Sequence, residues 1–476
     1  MIMISEIISS KEQTIMGRNR FTTIIYLVTL VIMLVAIFLS WQRTDTLERE
    51  RASAATNDHE VWINQGERNP HSAAHFSRYA FKPIPAMSTF EPGAIDYSGL
   101  AVWMEAHRRN PAVFRYAEGA GDLSNYVSLT PAWIMQVILP LVIILLLFSS
   151  YAGEREDGTL KQLLSHGISL KSIFQGKLSA AFYVVLKLLI PLSFIIIVAT
   201  IFFQAGSAQV DQLLRLTILL SVYALYFMIF AFIAIGVSAK STSRRSAAIT
   251  LFTIWFVLIV VAPRFANDAA TFVVPQPKGF EVERSLSQAR AAYSKDDNYQ
   301  EISRQEILDK YGVSSINDLP INYRGYILQR SEEHADPLYD EVYDDLKEVY
   351  ERQEIILEGL SFLSPTTALK KLSAGLAGTD RIHHEAFSWE AELHRRSIIK
   401  QMNDDLMLNG VDTGNTYTAG VELWNQITEY RGEAPRFLSL ISYYISMFAA
   451  LITLTILAFL FARRTTLSID DLEAIS

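Results

Sequence analysis

The sequence predicts a polytopic α-helical membrane protein: six transmembrane helices with a mostly α-helical extracytoplasmic domain. Three observations predict it. Half of the 476 residues are apolar and the mean hydropathy is +0.20, although 19% of the residues are charged. The apolar residues are gathered into blocks, and the charges into two long segments between them. Basic residues recur in alternate loops, as in multi-pass proteins that keep Lys and Arg on the inner side.

Six blocks can cross a bilayer core of about 30 Å, which takes about 20 helical residues. They are Phe21–Trp41, Pro131–Tyr151, Lys187–Phe203, Leu216–Ser238, Ala247–Ala262 and Leu438–Ala462. The first is too long for the apolar core of a signal peptide and has no small-residue cleavage site after it, so it reads as a retained anchor. Lys11, Arg18 and Arg20 precede the first span. Arg155, Lys161, Lys171 and Lys177 lie between the second and third, Lys240, Arg244 and Arg245 between the fourth and fifth, and Arg463 and Arg464 after the sixth. With six spans every cluster falls on one side, which is then the cytoplasm, and both termini are cytoplasmic. The chain divides accordingly. Residues 1–41 are an N-terminal elbow and first span, and 42–130 a first extracytoplasmic segment. Residues 131–264 hold spans two to five with a cytoplasmic coupling region at 152–177. Residues 265–435 form a second, acidic extracytoplasmic domain, and 436–476 the last span and a cytoplasmic tail. The connection Gln204–Arg215 is external and too short for a domain.

The segment 42–130 reads as mixed, with a turn at Glu91-Pro92-Gly93 and a short helix over Ala101–Arg109. The segment 265–435 reads as helical at Ile302–Tyr311, Asp340–Leu360 and Phe387–Leu408, and Ser364-Pro365 starts another helix with Ser364 as its cap. This segment carries 17 Lys/Arg against 30 Asp/Glu, a net charge of −13, whereas the whole chain is −8. Such an acidic domain excludes nucleic acid as a partner. The chain has no cysteine, so disulfides, thiolate metal sites and cysteine nucleophiles are excluded.

The strongest local signal follows the second span: Gly153-Glu154-Arg155-Glu156-Asp157-Gly158-Thr159-Leu160. Gly153 can end the span, and Thr159 can cap a new helix with Leu160, Leu163 and Leu164 on its apolar stripe. Glu154, Glu156 and Asp157 are then expected to face the cytosol. A surface of that kind suits a soluble motor; a polar loop leaving a membrane reads the same way, and on these residues alone both readings stand.

Other chemistry is thin. Gly176-Lys177, with Gly167 upstream, lacks the spacing of a phosphate-binding loop, and Leu178 stands where a Ser or Thr should hold magnesium. His384-Glu385-Ala386-Phe387-Ser388 begins like a zinc-protease motif but has Ser388 at the second ligand position, and His383, His394 and Glu390 nearby read as surface and capping residues. Asp296-Asp297-Asn298 lacks the turning glycine of a calcium loop. No metal site and no catalytic residue is assigned. Lys187 and the serines Ser439, Ser442 and Ser446, spaced along one helical face, are candidates for a transport path. The plainer readings are a lysine near the cytoplasmic end reaching for the interface, and small residues that let helices pack closely. Pro140 and Pro191 fall within spans, where proline kinks helices.

Taken together, these residues resemble the permeases of type-2 ATP-binding-cassette (ABC) exporters. The carrying motif is Glu154-x-Glu156-x-Gly158-Thr159-Leu160 after the second span, followed by Gly176-Lys177. The sequence is also similar to one branch of that family, whose members carry an uncharacterised domain outside the membrane. Its marks here are Glu91-Pro92-Gly93, Ser128-Leu129-Thr130-Pro131-Ala132 with Gln136 and Pro140, Ala262-Pro263-Arg264, Phe362-Leu363-Ser364-Pro365, and Leu376-Ala377-Gly378-Thr379-Asp380. His166-Gly167-Ile168-Ser169 departs from relatives that have a proline there. The resemblance implies a permease without enzymatic activity or cofactor of its own, with ATP and Mg bound by a separate ATPase subunit. It assigns ATPase coupling to Glu154, Glu156, Gly158, Thr159, Leu160, Gly176 and Lys177. It further implies a second permease (self or paralogue) as partner, residence in the bacterial inner membrane, and a periplasmic protein on the outer domain. The alternative from another class is a membrane-anchored sensor or scaffold whose acidic outer domain binds an envelope partner.

Overall fold

The computed structural model describes residues 2–76, 78–115, 129–202, 209–294, 297–411 and 416–469. Ser128, Phe203, residues 204–208, Asp296 and the tail beyond 469, which enter the readings above, lie outside the described residues. Among the described residues, six helical segments are long and apolar enough to cross a membrane: Arg20–Ile63, Pro131–Glu156, Leu170–Pro191, Val210–Lys240, Arg244–Val273 and Phe437–Leu467. The chain is thus a polytopic helical membrane protein. The fourth span is its hub. It packs against the second, third, fifth and sixth spans and against the helix Pro365–Ala377, and 67% of its apolar window is buried. The first and fifth spans keep only 22% of theirs inside the protein, so most of their apolar surface (Leu27, Val31, Phe38, Ile249, Phe252, Phe256) faces outward.

Several elements run longer than their apolar blocks. The first span belongs to a helix of 44 residues, Arg20–Ile63, about 66 Å long and twice a bilayer core. Asn19 caps it, accepting a hydrogen bond from the Phe21 amide at 2.9 Å. Its far end reaches the segment 265–435, where the Trp62 indole donates to the Trp424 carbonyl at 3.0 Å. The third span belongs to a helix that begins at Leu170, 17 residues before the predicted start at Lys187. Residues 170–186, with Lys171, Gln175 and Lys177, lie before the predicted third span. They stay helical because the N-terminal helix, Ile2–Arg18, packs along them and satisfies Lys177.

Two spans carry π-helical stretches, Ile134–Ile138 and Val257–Val261, each followed within two residues by a proline, Pro140 or Pro263. A proline lacks an amide donor and crowds the carbonyl four residues earlier, and the wider turn relieves that crowding. The carbonyl freed by Pro140 is that of Gln136, and it accepts the Tyr226 hydroxyl at 2.7 Å.

The lobe is assembled from both intervening segments. The expected helix over Ala101–Arg109 is instead a strand, Ala101–Met104, paired antiparallel with Arg78–Phe81. Val102, Trp103 and Tyr79 are β-forming, and Tyr79 stacks on its cross-strand neighbour Trp103. The other regular elements among the described residues of the lobe are helical. Asp297–Tyr311 and Tyr323–Ser361 extend the first two predicted helices, and Arg381–Asn409 contains the third. Ser364 caps Pro365–Ala377 through the Thr367 amide, as its sequence predicts. A core of Trp62, Val102, Met104, Phe387, Ile398 and Trp424 holds the lobe together. Beside it lies a fully buried guanidinium. Arg395 donates to Glu392 at 2.8 Å, Glu332 at 3.2 Å and Asp336 at 2.8 Å, joining the two longest lobe helices. A buried ion cluster adds little stability in itself, but with every donor paired it pins two helices in one register.

Candidate functional site

The lobe and the Gly153–Leu160 elbow sit at opposite ends of the spans. The second span starts beside the lobe, where the Ala132 amide donates to the Phe90 carbonyl at 3.1 Å, and ends at Tyr151. The fourth starts where Arg215 grips the lobe, and ends at Ser238, whose hydroxyl accepts the Tyr151 and Ala152 amides at 3.0 and 3.1 Å.

At the elbow the chain forms two short helices, Ala152–Glu156 and Thr159–Ser165. Gly153 lies inside the first and does not end it. The break comes at Gly158, whose φ of +70° is the left-handed conformation that glycine adopts without a Cβ clash. Thr159 is not the cap: its hydroxyl donates back to the Glu154 carbonyl at 3.3 Å. Leu160 is fully buried in the main core and anchors the second helix.

Each acid of the elbow has a partner. Glu156 and Asp157 flank Arg244, at 2.7 and 2.5 Å, and so join the elbow to the start of the fifth span. Arg155 donates to the carbonyls of Ala239 and Ser241 at the end of the fourth span. Glu154 does not face solvent. It is 9% exposed and lies 2.5 Å from Lys11 Nζ and 3.0 Å from Lys177 Nζ. Lys177, 2% exposed, also reaches Glu12 at 2.8 Å and the Ser150 carbonyl at 2.6 Å, with its ammonium over the Tyr151 ring. Gly176 explains how the N-terminal helix comes so close, since a Cβ there would lie 2.6 Å from Ile8. Gly176, Lys177 and Glu154 therefore clamp the N-terminal helix to the third span from inside. The exposed face of the elbow is Glu156, Asp157, Gly158, Lys161, Gln162 and Ser165.

The structure does not gather the other candidates into a path. Lys187 lies well along its helix and not at the start. It is exposed, with its ammonium 4.4 Å from the centre of the Tyr26 ring, an interaction that partly offsets a charge among apolar side chains. Ser439 and Ser442 fall on a 3-10 turn, Phe437–Tyr444, and Ser446 on the α-helix after it, so they share no α-helical face. Ser439 bonds the Arg436 carbonyl at 2.7 Å, and Ser446 donates to Glu358 at 2.9 Å. The lobe histidines of the His384 segment diverge: His383 bonds Asp380, His384 approaches Lys82 Nζ at 3.4 Å, and His394 bonds the Thr428 carbonyl.

Two polar clusters where lobe and spans meet were not legible from spacing, because their members are far apart in sequence. In the first, Gln136 donates to Glu91 at 2.8 Å and lies 3.1 Å from the Tyr223 hydroxyl, while Ser373 bonds both Glu91 and Tyr223. Burial pushes the Glu91 carboxyl above the usual range, against hydrogen bonds from the Gly93 amide, Gln136 and Ser373. In the second, Arg215 bonds the carbonyls of Gly375, Leu376 and Pro435 and the Asp211 carboxylate. Asp380 accepts the Tyr444 hydroxyl at 2.7 Å and pairs with His383 at 2.6 Å. Burial would raise Asp380, but these partners hold it below the usual carboxylate range. In the sequence, Glu91-Pro92-Gly93, Gln136 and the run ending at Asp380 stand apart, and nothing in their spacing joins them.

A family model described as ABC-2 family transporter protein matches residues 6–465. The chain belongs to that family, as a permease component of an ABC transporter. No curated protein matches it.

Proposed function

We propose that this ABC-2 family permease is the membrane subunit of an exporter driven by a separate ATPase, which docks on the exposed face of the elbow. The observation that carries the reading is the division of labour within Gly153–Lys177. Glu156, Gly158 and Thr159 shape an outward surface next to Lys161 and Gln162, while Glu156 and Asp157 hold Arg244 of the fifth span, Glu154, Gly176 and Lys177 fix the elbow to the third-span helix and the N-terminal helix, and Leu160 is buried in the core. A push on the elbow therefore reaches the second, third and fifth spans together. ATP and Mg belong to the partner, and this chain supplies two packings of its spans whose populations nucleotide binding shifts. The basic clusters at the elbow end support a cytoplasmic elbow and termini in a bacterial inner membrane, with the lobe outside, as in the branch whose members carry an extracytoplasmic domain. The outward apolar faces of the first and fifth spans suit lipid and a second permease, and the acidic lobe suits a periplasmic partner.

The test is Lys161→Glu with Gln162→Glu, both exposed and outside the buried clamp. The variant is expected to fold normally, to lose co-purification of its ATPase from native membranes, and to lose substrate-stimulated ATP hydrolysis in vesicles. If association and hydrolysis both survive unchanged, the elbow is not the docking surface.

A further inference from the structure

The lobe holds one convergence of side chains that neither the fold nor the elbow uses. His71 and His75 stand one turn apart on the helix Pro70–Phe76, and His107 comes from the loop after the strand Ala101–Met104. Their ring centroids form a nearly equilateral triangle with sides of 4.8, 5.0 and 4.9 Å. One nitrogen from each lies within 4.8 Å of the other two, and the Nε2 atoms of His71 and His75 are 3.3 Å apart. Two nitrogens bound tetrahedrally at about 2.0–2.1 Å stand about 3.3 Å apart, so this edge already has the spacing of a bound zinc ion. His71 is half-buried, and its Nδ1 has no hydrogen-bond partner among the described residues.

The surroundings resemble those of ligating histidines. His107 Nδ1 lies 2.5 Å from Glu332, which also accepts the His107 backbone amide at 3.0 Å. Glu332 is 5% exposed and is itself held by Arg395. A carboxylate on one imidazole nitrogen fixes the tautomer and leaves the other nitrogen free to coordinate. His107 has a φ of +68°, a conformation unusual for a residue with a side chain; here it brings both the ring and the amide onto Glu332.

We propose that His71, His75 and His107 form a binding site for a borderline divalent transition-metal ion of the zinc class. Three imidazoles suit such ions, whereas calcium and magnesium require oxygen donors. His75 is exposed, so the fourth coordination position opens to solvent. The ion would join the Pro70–Phe76 helix to the loop at His107 and, through Glu332, to the two long lobe helices. Glu332 acts as a positioning residue and is not itself a ligand.

The experiment uses the full chain in detergent, stripped with a chelator and then titrated with Zn²⁺, with Co²⁺ as the spectroscopic probe and Mg²⁺ as the control. About one equivalent of Zn²⁺ per chain should be retained, and Co²⁺ should give the intense visible bands of a four-coordinate nitrogen site. His75→Ala and His107→Ala should abolish both, and Glu332→Gln should weaken binding by about 10–100-fold with an altered Co²⁺ spectrum. His394→Ala should change neither. Metal-free thermal unfolding of exposed His75→Ala should match that of the metal-free parent, separating loss of a ligand from loss of fold. Substoichiometric Zn²⁺ retention by the parent, or retention by His75→Ala and His107→Ala equal to the parent, overturns the proposal.

Discussion

Replacing Lys177 by Met tests the clamp beneath the elbow. The ammonium lies 2.8 Å from Glu12 and 3.0 Å from Glu154; the lysine side chain is 1% exposed and the two acids are 12% and 11% exposed. Methionine keeps the length and packing of the stem but leaves two carboxylates without their cation. Removing one partner of a buried ion pair costs about 3–5 kcal/mol. Lys11, 39% exposed and 2.5 Å from Glu154, still covers one acid, so the lower end, about 3 kcal/mol, is expected. Glu12→Gln and Glu154→Gln added to Lys177→Met remove the stranded charges, and most of the loss should return, because a neutral cluster of similar volume is tolerated where half an ion pair is not. Unfolding in mixed micelles, followed by tryptophan fluorescence, reads the free energy. Limited trypsin cleavage at Lys11 and Arg18 reads release of the N-terminal helix. The reasoning is refuted if Lys177→Met stays within about 0.5 kcal/mol of the parent, the size of a surface change, or if the triple variant is no more stable than the single one.

Two further substitutions probe how the lobe is seated. Gly375 lies against the Tyr444 ring with no room for a Cβ, so Gly375→Ala should cost about 1–3 kcal/mol by overpacking and lower the thermal unfolding temperature. His384 is pushed down to about 3 by burial and by the charges of Lys82 and Arg115. The unfolded chain therefore takes up a proton near pH 6.5 that the folded chain refuses. That contribution to stability is whole above pH 6.5 and drains away as the pH falls toward 3, by up to about 1.4 kcal/mol per pH unit. His384→Phe should flatten this part of a stability–pH profile, and a profile of unchanged slope would contradict the assignment.

Much of this protein was legible in its composition. Blocks of apolar residues long enough for a bilayer predict spans in any context, because backbone amides in lipid must pair within the helix. The six predicted spans are helical over their described residues except for a turn at Phe148–Tyr151, and Ser364-Pro365 caps a helix as its local chemistry requires. Element ends were less legible. Residues 170–186 are helical because Glu12 and Glu154 neutralise Lys177, and Ala101–Met104 is a strand because Arg78–Phe81 lies beside it. Neither partner is near in sequence.

The acids of the elbow show the same division. Glu154, Glu156 and Asp157 look alike in a line of residues, and local rules send all of them to water. Whether an acid is surface or clamp depends on which cation the fold brings to it, and Lys177 and Arg244 come from different spans. The His71, His75 and His107 triangle has the same cause: a helix can place two imidazoles one turn apart, but only the packing of the loop after the strand Ala101–Met104 against it supplies the third. Hydropathy is a property of each residue and its near neighbours, so the sequence alone determined the membrane architecture. Charge pairing and convergence depend on distances between remote segments, and those the tertiary structure decided.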